Sequence, residues 1–196
     1  LQMKYNAQSP SAQEVAYLVQ ASCLKFVFDN DEKAKKIIEQ GTMYLLNNTN
    51  IASTKRATWH CLYSEWDAFD DGSINNVETS YAITTADVMK VLVDVTKYNF
   101  IANEVKDEIY DTINNITMTW CKNYFTETKT EGGYFWYSNN PWDNIDSPNV
   151  SAALGGSICK AINLEDIKLF TNDEKILINR TLNLVSQRLS LKAKME

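Results

Sequence analysis

The sequence has few residues of the kinds that several common folds and sites require. It contains one histidine, which excludes a His-rich metal site and argues against a Ser–His–Asp triad. Six glycines and three prolines are too few for the many tight turns of a β-sandwich or barrel. No stretch approaches 18 uncharged apolar residues, so the sequence predicts no membrane-spanning helix and no membrane partner.

Basic residues are fewer than acidic residues. The chain has 19 Lys and Arg against 25 Asp and Glu, a net charge of −6, whereas nucleic-acid binders usually present a basic face. The residues that are present, 44% hydrophobic and 22% charged, are typical of a globular protein rather than a disordered one. The sequence therefore predicts one domain over residues 1–196, with no nucleic-acid partner, no cofactor and no metal.

Cysteine usage and the first residues leave the compartment open. An even count of four cysteines permits two disulfides. However, Cys23, Cys121 and Cys159 lie in helix-like segments among apolar neighbours, which favours buried free thiols. The sequence starts at Leu1 without a signal-peptide pattern, and a removed signal peptide would leave the same sequence. Secreted, periplasmic and cytoplasmic locations all remain open.

Apolar residues recur every three or four positions through most of the chain, which predicts an all-α fold. At the start of the first helix, Ser11 and Glu14 have the spacing of a capping box. The periodicity predicts six helices, over residues 12–28, 32–47, 78–97, 102–125, 149–162 and 172–192.

Two long segments rich in aromatic and acidic residues interrupt the helices, and we name them loop one (48–76) and loop two (126–148). A Tyr-Ser pair occurs in each, at Tyr63 and Tyr137, 74 residues apart. Residues 80–92 align with 151–163 at an offset of 71. The order of features predicts three helical hairpins, each with an inner and an outer helix, in a curved, toroid-like array.

Loop two carries the residues of a known pattern. The segment from Gly132 to Tyr137, Gly-Gly-Tyr-Phe-Trp-Tyr, is followed by Asn144 and an inner helix. It is similar to the Gly-Gly-x-x-Trp-Trp/Tyr loops of the α/α-toroid glycoside hydrolases and sugar epimerases. The Asp70-Asp71 pair resembles the paired aspartates of toroidal α-1,6-mannan hydrolases. Such toroids usually have six hairpins, so the resemblance implies an open half-ring that is part of a longer chain or pairs with another copy.

The residue types of the two loops suit a sugar site. A pyranose ring stacks its apolar faces on Trp or Tyr, and its hydroxyls need fixed carboxylate acceptors. The predicted carbohydrate-binding residues are Trp59, Tyr63, Trp66, Asp67, Tyr134, Trp136, Tyr137, Trp142, Asp143 and Asp146. The alternative is that these aromatic side chains cover the helix ends and close the core.

Asp70 and Asp71 are the predicted catalytic pair, as general acid and as base or nucleophile. Glycosidases need two carboxyl groups about 5–9 Å apart. The alternative is that Asp-Asp-Gly-Ser is a turn sequence with a helix cap nearby. The pair also resembles the metal-binding aspartates of class I terpene synthases, although the third acidic residue of that motif is missing.

Two further hypotheses compete with the sugar site. His60, Cys61 and Cys121 have the atoms of a zinc site, and Trp120-Cys121 resembles part of the zinc site of the lanthionine cyclases, but no fixed ligand spacing supports this. The chain could also be a non-catalytic scaffold that binds a protein on its concave face. Carbohydrate recognition or processing is the preferred function, and an oligosaccharide or polysaccharide is the expected partner.

Overall fold

The architecture comes from a computed structural model that describes residues 11–49, 79–164 and 169–194. These residues form six α-helices and one antiparallel pair of short strands. The helices are α1 (Ala12–Asp29), α2 (Glu32–Asn47), α3 (Ala82–Val95), α4 (Asn103–Asn123), α5 (Pro148–Ile162) and α6 (Asn172–Lys192). The strands are β1 (Phe125–Thr128) and β2 (Gly132–Phe135). The predicted all-α class is confirmed.

Side-chain caps set the starts of three of the described helices, α1, α2 and α6. The predicted capping box at α1 is present, since Glu14 N donates to Ser11 Oγ and Ser11 N donates to the Glu14 carboxylate. Asn30 ends α1 in a left-handed conformation, and Asp31 then caps α2 by accepting from the backbone of Lys33 and Ala34. This two-residue connection folds α1 and α2 into the first hairpin.

The inner helices of the three predicted hairpins, α1, α3 and α5, form one row of parallel helices. Tyr17 and Cys23 of α1 contact Asp87 of α3 and Tyr98 just after it, in the same order along both segments. From α3 to α5, the Ala86 carbonyl accepts from Ser157 Oγ. Ala86 and Ser157 are the positions that the 71-residue offset equates. The helices that the repeat aligns therefore lie side by side.

Helices α2, α4 and α6 form a second row, in which α4 contacts both of the others. Helix α3 lies between α1 and α5 and is the most enclosed helix, with ten of its fourteen residues buried. The core between the rows contains Met89, Leu92, Ile113, Trp120 and Leu154. None of the described helices is long and apolar enough to cross a bilayer.

The prediction that loop two has no regular structure of its own is wrong. The segment contains the β1–β2 hairpin and a 3-10 turn over Pro141–Asp143. The fourth helix ends at Asn123 instead of 125, since Phe125 pairs with Phe135 and Thr128 with Gly132. The third helix starts at Ala82 rather than 78, because the residues before it pair with loop two. Thr, Phe and Tyr favour strands, but runs of four residues are too short to show a period.

Candidate functional site

Hydrogen bonds join the residues at the start of α3 to loop two. They lie at the end of the first row where helices α1, α3 and α5 begin. Asn139 N donates to the Ser80 carbonyl at 2.9 Å, and Ser80 N donates to Asn139 Oδ1 at 3.0 Å. Ala82 N donates to the Tyr137 carbonyl at 2.9 Å. The end of loop one and loop two therefore meet at one end of the array, which we call the loop end.

All of the predicted site residues of loop one lie outside the described residues. These are Trp59, Tyr63, Trp66, Asp67 and the predicted catalytic pair Asp70 and Asp71. His60 and Cys61, of the zinc hypothesis, lie there as well. Within the described ranges, no group of three or more His, Cys, Asp or Glu side chains is arranged to hold a metal ion.

Trp136 and Tyr137 are half-buried and support the hairpin. The indole Nε1 of Trp136 donates to Thr126 Oγ1 at 2.8 Å, and its ring lies 5.7 Å from that of Tyr124. The Tyr137 ring contacts Tyr81 edge-on at 5.9 Å between centroids. Both aromatic side chains thus pack on the helix ends. Tyr134 is also half-buried, on strand β2.

Trp142 has a different environment from the other loop-two aromatic residues. It lies in the 3-10 turn, where Asn140 Oδ1 accepts from Trp142 N at 3.2 Å and Pro141 fixes the first position. The turn directs Asp143 into the interior, where it is fully buried. The Trp142 side chain is directed outward and is 91% exposed. An indole in this position offers a flat apolar surface on a constrained backbone.

Asp146 holds loop two against α6. Its Oδ2 accepts from Arg188 Nη2 at 2.7 Å and Nε at 3.0 Å, and Lys192 Nζ lies 3.3 Å away. Arg188 also pairs with Glu131, in the turn between the two strands. The carboxylate that the sequence predicted as a sugar acceptor is therefore engaged by two cations. We call the group formed by Glu131, Asp146, Arg188 and Lys192 the α6 clamp.

The Gly132-Gly133 pair lets the hairpin approach α6 closely. Gly132 has a φ of +88°, and a Cβ at this position would lie 2.3 Å from the Leu184 carbonyl oxygen. At Gly133 a Cβ would meet the Phe125 ring at 2.2 Å. Packing of β2 between β1 and α6 thus accounts for both glycines of the motif without a ligand.

The cysteines match the predicted free thiols only in part. Cys23 and Cys121 are buried free thiols, but Cys159 is an exposed free thiol, on the same face of α5 as the exposed Ala152 and Gly156. Burial raises the pKa of Cys121 to about 12, which keeps the thiol protonated and disfavours it as a metal ligand.

One polar group near the loop end was not predicted. Asp87 Oδ2 accepts from Gln13 Nε2 and from the Tyr17 hydroxyl, each at 2.8 Å. Burial, and then the hydrogen bond to the Asp87 carboxylate, raise the pKa of Tyr17. The group lies within the first two turns of α1 and α3. No signal in the sequence pointed to this group, because the 71-residue offset equates α3 with α5 and not with α1.

The described residues thus define an all-α protein built from helical hairpins, with a short β-hairpin and an exposed indole at one end. No protein-family model, curated protein or solved structure matches the chain.

Proposed function

We propose that the loop end binds carbohydrate, and that the two rows of helices are a segment of an α/α toroid. The exposed Trp142 is the observation that carries the proposal. Burying a large apolar ring normally stabilises a fold, yet this indole stays in water on a turn fixed by Pro141 and Asn140. A rigid, flat apolar surface of this kind suits the face of a pyranose ring.

Polar groups near the same end complete the proposed site. The Asp87 carboxylate, which the Tyr17 hydroxyl and Gln13 hold in place, supplies an acceptor for sugar hydroxyls. Asp146 and Trp136 act indirectly in this proposal, because they hold loop two in place. If the protein is an enzyme, Asp70 and Asp71 are the proposed acid and base or nucleophile.

The toroid proposal rests on the parallel first row and on its open ends. The two end helices of the described row, α1 and α5, each pack against α3 as a neighbour within the row, and each also packs against its hairpin partner, α2 or α6. In a ring of hairpins each inner helix has two such neighbours. The open side of α1 is where the array would continue.

Thermal unfolding with a panel of plant, fungal and bacterial oligosaccharides tests the proposal. A ligand at 100 times its Kd adds about 2.7 kcal/mol to the free energy of unfolding. For a chain of this length that raises Tm by about 5–10 °C. We expect Trp142→Ala to abolish the shift. The matched control is Phe28→Ala, which removes an exposed aromatic ring at the opposite end of α1 and should leave the shift unchanged.

A positive panel would justify product analysis with Asp70→Asn and Asp71→Asn, which should abolish turnover while the thermal shift persists. A panel without any shift for the folded protein would overturn the sugar proposal. The scaffold hypothesis would then be tested by capture of protein partners.

A further inference from the structure

Asp87 is a carboxylate that two neutral groups orient and no cation of the described residues balances. Its Oδ2 accepts from Gln13 Nε2 and from the Tyr17 hydroxyl, each at 2.8 Å, so the side chain has a fixed direction between α1 and α3. The ion pairs of the described residues do not include Asp87, although Lys90 lies only one turn further along α3. Hydrogen bonds from an amide and a phenol leave its negative charge in place.

Comparable carboxylates nearby do have cationic partners. Asp94 lies two turns after Asp87 on the same side of α3, and it pairs with Lys160 and Lys97. At the loop end, Asp146 pairs with the two cations of the α6 clamp. The macrodipole of α3 acts mainly within its first turn, whereas Asp87 is the sixth residue of that helix. The charge of Asp87 is therefore not explained as a partner of another group in the fold.

Basic residues are missing from the chain segments that form the loop end of the first row. Residues 11–24, 79–89 and 132–159 contain four Asp or Glu residues and no Lys or Arg. A lysine follows each segment directly, toward the opposite end of the helix. The two cations of the α6 clamp are already engaged by Asp146 and Glu131. The loop end of the first row is therefore a region of negative potential.

The exposed indole of Trp142 is compatible with a positively charged ligand as well. The face of an indole ring carries partial negative charge and attracts an ammonium group within about 6 Å of its centre. The same ring stacks on the apolar face of a neutral sugar. Among the groups of the proposed site, Trp142 thus tolerates either kind of sugar, and Asp87 distinguishes between them by charge.

We propose that the loop end selects cationic sugars, so that an amino sugar binds more tightly than the neutral sugar of the same configuration and a uronic acid binds more weakly. This inference rests on the proposed function, because it names the class of sugar that the same site takes. An ammonium group donates a charge-assisted hydrogen bond to Asp87, where a hydroxyl donates a weaker neutral one. A carboxylate in the same position is repelled.

Titration with matched monosaccharides tests the selection. The probes are three sets, in the glucose, galactose and mannose configurations, each made of the amino sugar, its N-acetyl form, the neutral sugar and the uronic acid. The indole N–H signal of Trp142 in NMR spectra reports binding, and its loss in Trp142→Phe identifies it. The titrations are made at about pH 6, where an amino group is protonated.

We expect the dissociation constant of the amino sugar to be about tenfold lower than that of the neutral sugar, because a hydrogen bond to a charged group is the stronger one. The N-acetyl form should bind like the neutral sugar, since it has the nitrogen without the charge. The uronic acid should bind about tenfold more weakly than the neutral sugar or not at all.

Asp87→Asn removes the charge and keeps an acceptor oxygen for Gln13 and Tyr17. In this variant we expect the amino and neutral sugars to bind within about twofold of each other. Asp94→Asn is the matched control, because it makes the same substitution on the same side of α3 at a carboxylate that lysines already balance. It should leave the order of affinities unchanged. Circular dichroism checks that both variants keep their helices.

The wild-type protein gives a second readout that needs no substitution. Raising the NaCl concentration from about 20 mM to about 500 mM should reduce the advantage of the amino sugar, because salt screens its attraction to Asp87. The affinity of the neutral sugar should change little over the same range.

The outcomes separate this inference from the proposed function. A uronic acid or a neutral sugar that binds as tightly as the amino sugar would overturn the selection of cationic sugars and leave sugar binding standing. So would a preference that persists unchanged in Asp87→Asn. A Trp142 signal that no sugar of any set shifts would overturn both.

Discussion

At the scale of single residues, the two glycines that begin β2 are fixed by packing. Gly132 combines a positive φ with close approach to two backbone atoms of α6, the Leu184 carbonyl oxygen and the Arg188 nitrogen. Backbone atoms cannot move aside as a flexible side chain can. Gly156, in the middle of α5, has no atom within 4 Å of the Cβ it lacks. Packing thus requires a glycine at position 132 but not at position 156.

We expect Gly132→Ala to lower the free energy of unfolding by about 3 kcal/mol, since it adds backbone strain and a steric clash. That corresponds to a fall in Tm of about 6–12 °C. Gly156→Ala should instead stabilise by about 0.5–1 kcal/mol, because alanine favours the helix. Thermal unfolding of both variants checks the pair. A Tm for Gly132→Ala within 2 °C of wild type would show that β2 does not dock on α6 so closely.

The roles of the tryptophans show what residue patterns leave open. Trp136 and Trp142 look alike in the sequence, and both were predicted to bind sugar. Trp136 is half-buried because it follows β2, whose hydrogen bonds turn the ring toward Tyr124. Trp142 is exposed because a 3-10 turn buries Asp143 instead. Which of the two tryptophans is exposed depends on the backbone hydrogen bonds of loop two. Segments this short show no sequence period from which those bonds could be predicted.

At the scale of elements, the helices were predictable and the hairpin was not. Helices such as α1 and α6 have long apolar periods with capping residues at Ser11 and Thr171, so their bounds differ little from the prediction. The two strands are separated by only three residues, and they are buried by packing against α6, which is distant in the sequence. A prediction from local sequence cannot include that contact.

Neighbouring elements α3 and α5 are linked by an ion pair. Asp94 Oδ2 accepts from Lys160 Nζ at 2.6 Å, and Asp94 Oδ1 accepts from Lys97 Nζ at 2.9 Å. Burial raises the pKa of Asp94, but the ammonium groups of Lys160 and Lys97 together lower it by more. The pKa therefore lies below its ordinary value of 3.8. The pair therefore stabilises the folded chain only when Asp94 is ionised.

We expect Asp94→Asn to reduce the free energy of unfolding at pH 7 by about 0.5–1 kcal/mol, because both partners are about one-third exposed and screened by solvent. The folded pKa is depressed, so this stabilisation is fully present above pH 4 and is lost as pH falls through the folded pKa. Urea unfolding of wild type and variant between pH 7 and pH 2.5 checks this. The difference should disappear at the acid end.

Asp29→Asn is the matched control for this prediction. It removes an i,i+4 partner of Lys25 in which both side chains are more than half exposed. Its effect at pH 7 should not exceed about 0.5 kcal/mol. A constant difference between Asp94→Asn and wild type at all pH values would contradict a role for the charge.

At the scale of the whole molecule, burial decreases from α3 outward. Helix α3 has a neighbour on each side within the first row, and it also contacts helices of the second row. The β-hairpin and loop two lie at the periphery and are held by the α6 clamp, in which the Arg188 side chain is 15% exposed. Segments with few buried contacts open at lower free energy than the core does. The molecule should therefore unfold locally at the loop end before it unfolds globally.

Hydrogen exchange measured by mass spectrometry checks this order. We expect the amides of α3 to exchange most slowly, through global unfolding, and those of residues 125–147 to exchange faster. Arg188→Met removes the guanidinium group that binds Asp146 and Glu131. Exchange over residues 125–147 should therefore accelerate at least tenfold, which corresponds to a fall of about 1.4 kcal/mol in the free energy of local opening, with α3 little affected. Arg180→Met is the control, because its pair with Glu127 is largely exposed. Equal acceleration in α3 and in 125–147 would instead show that the loop end and the core unfold as one unit.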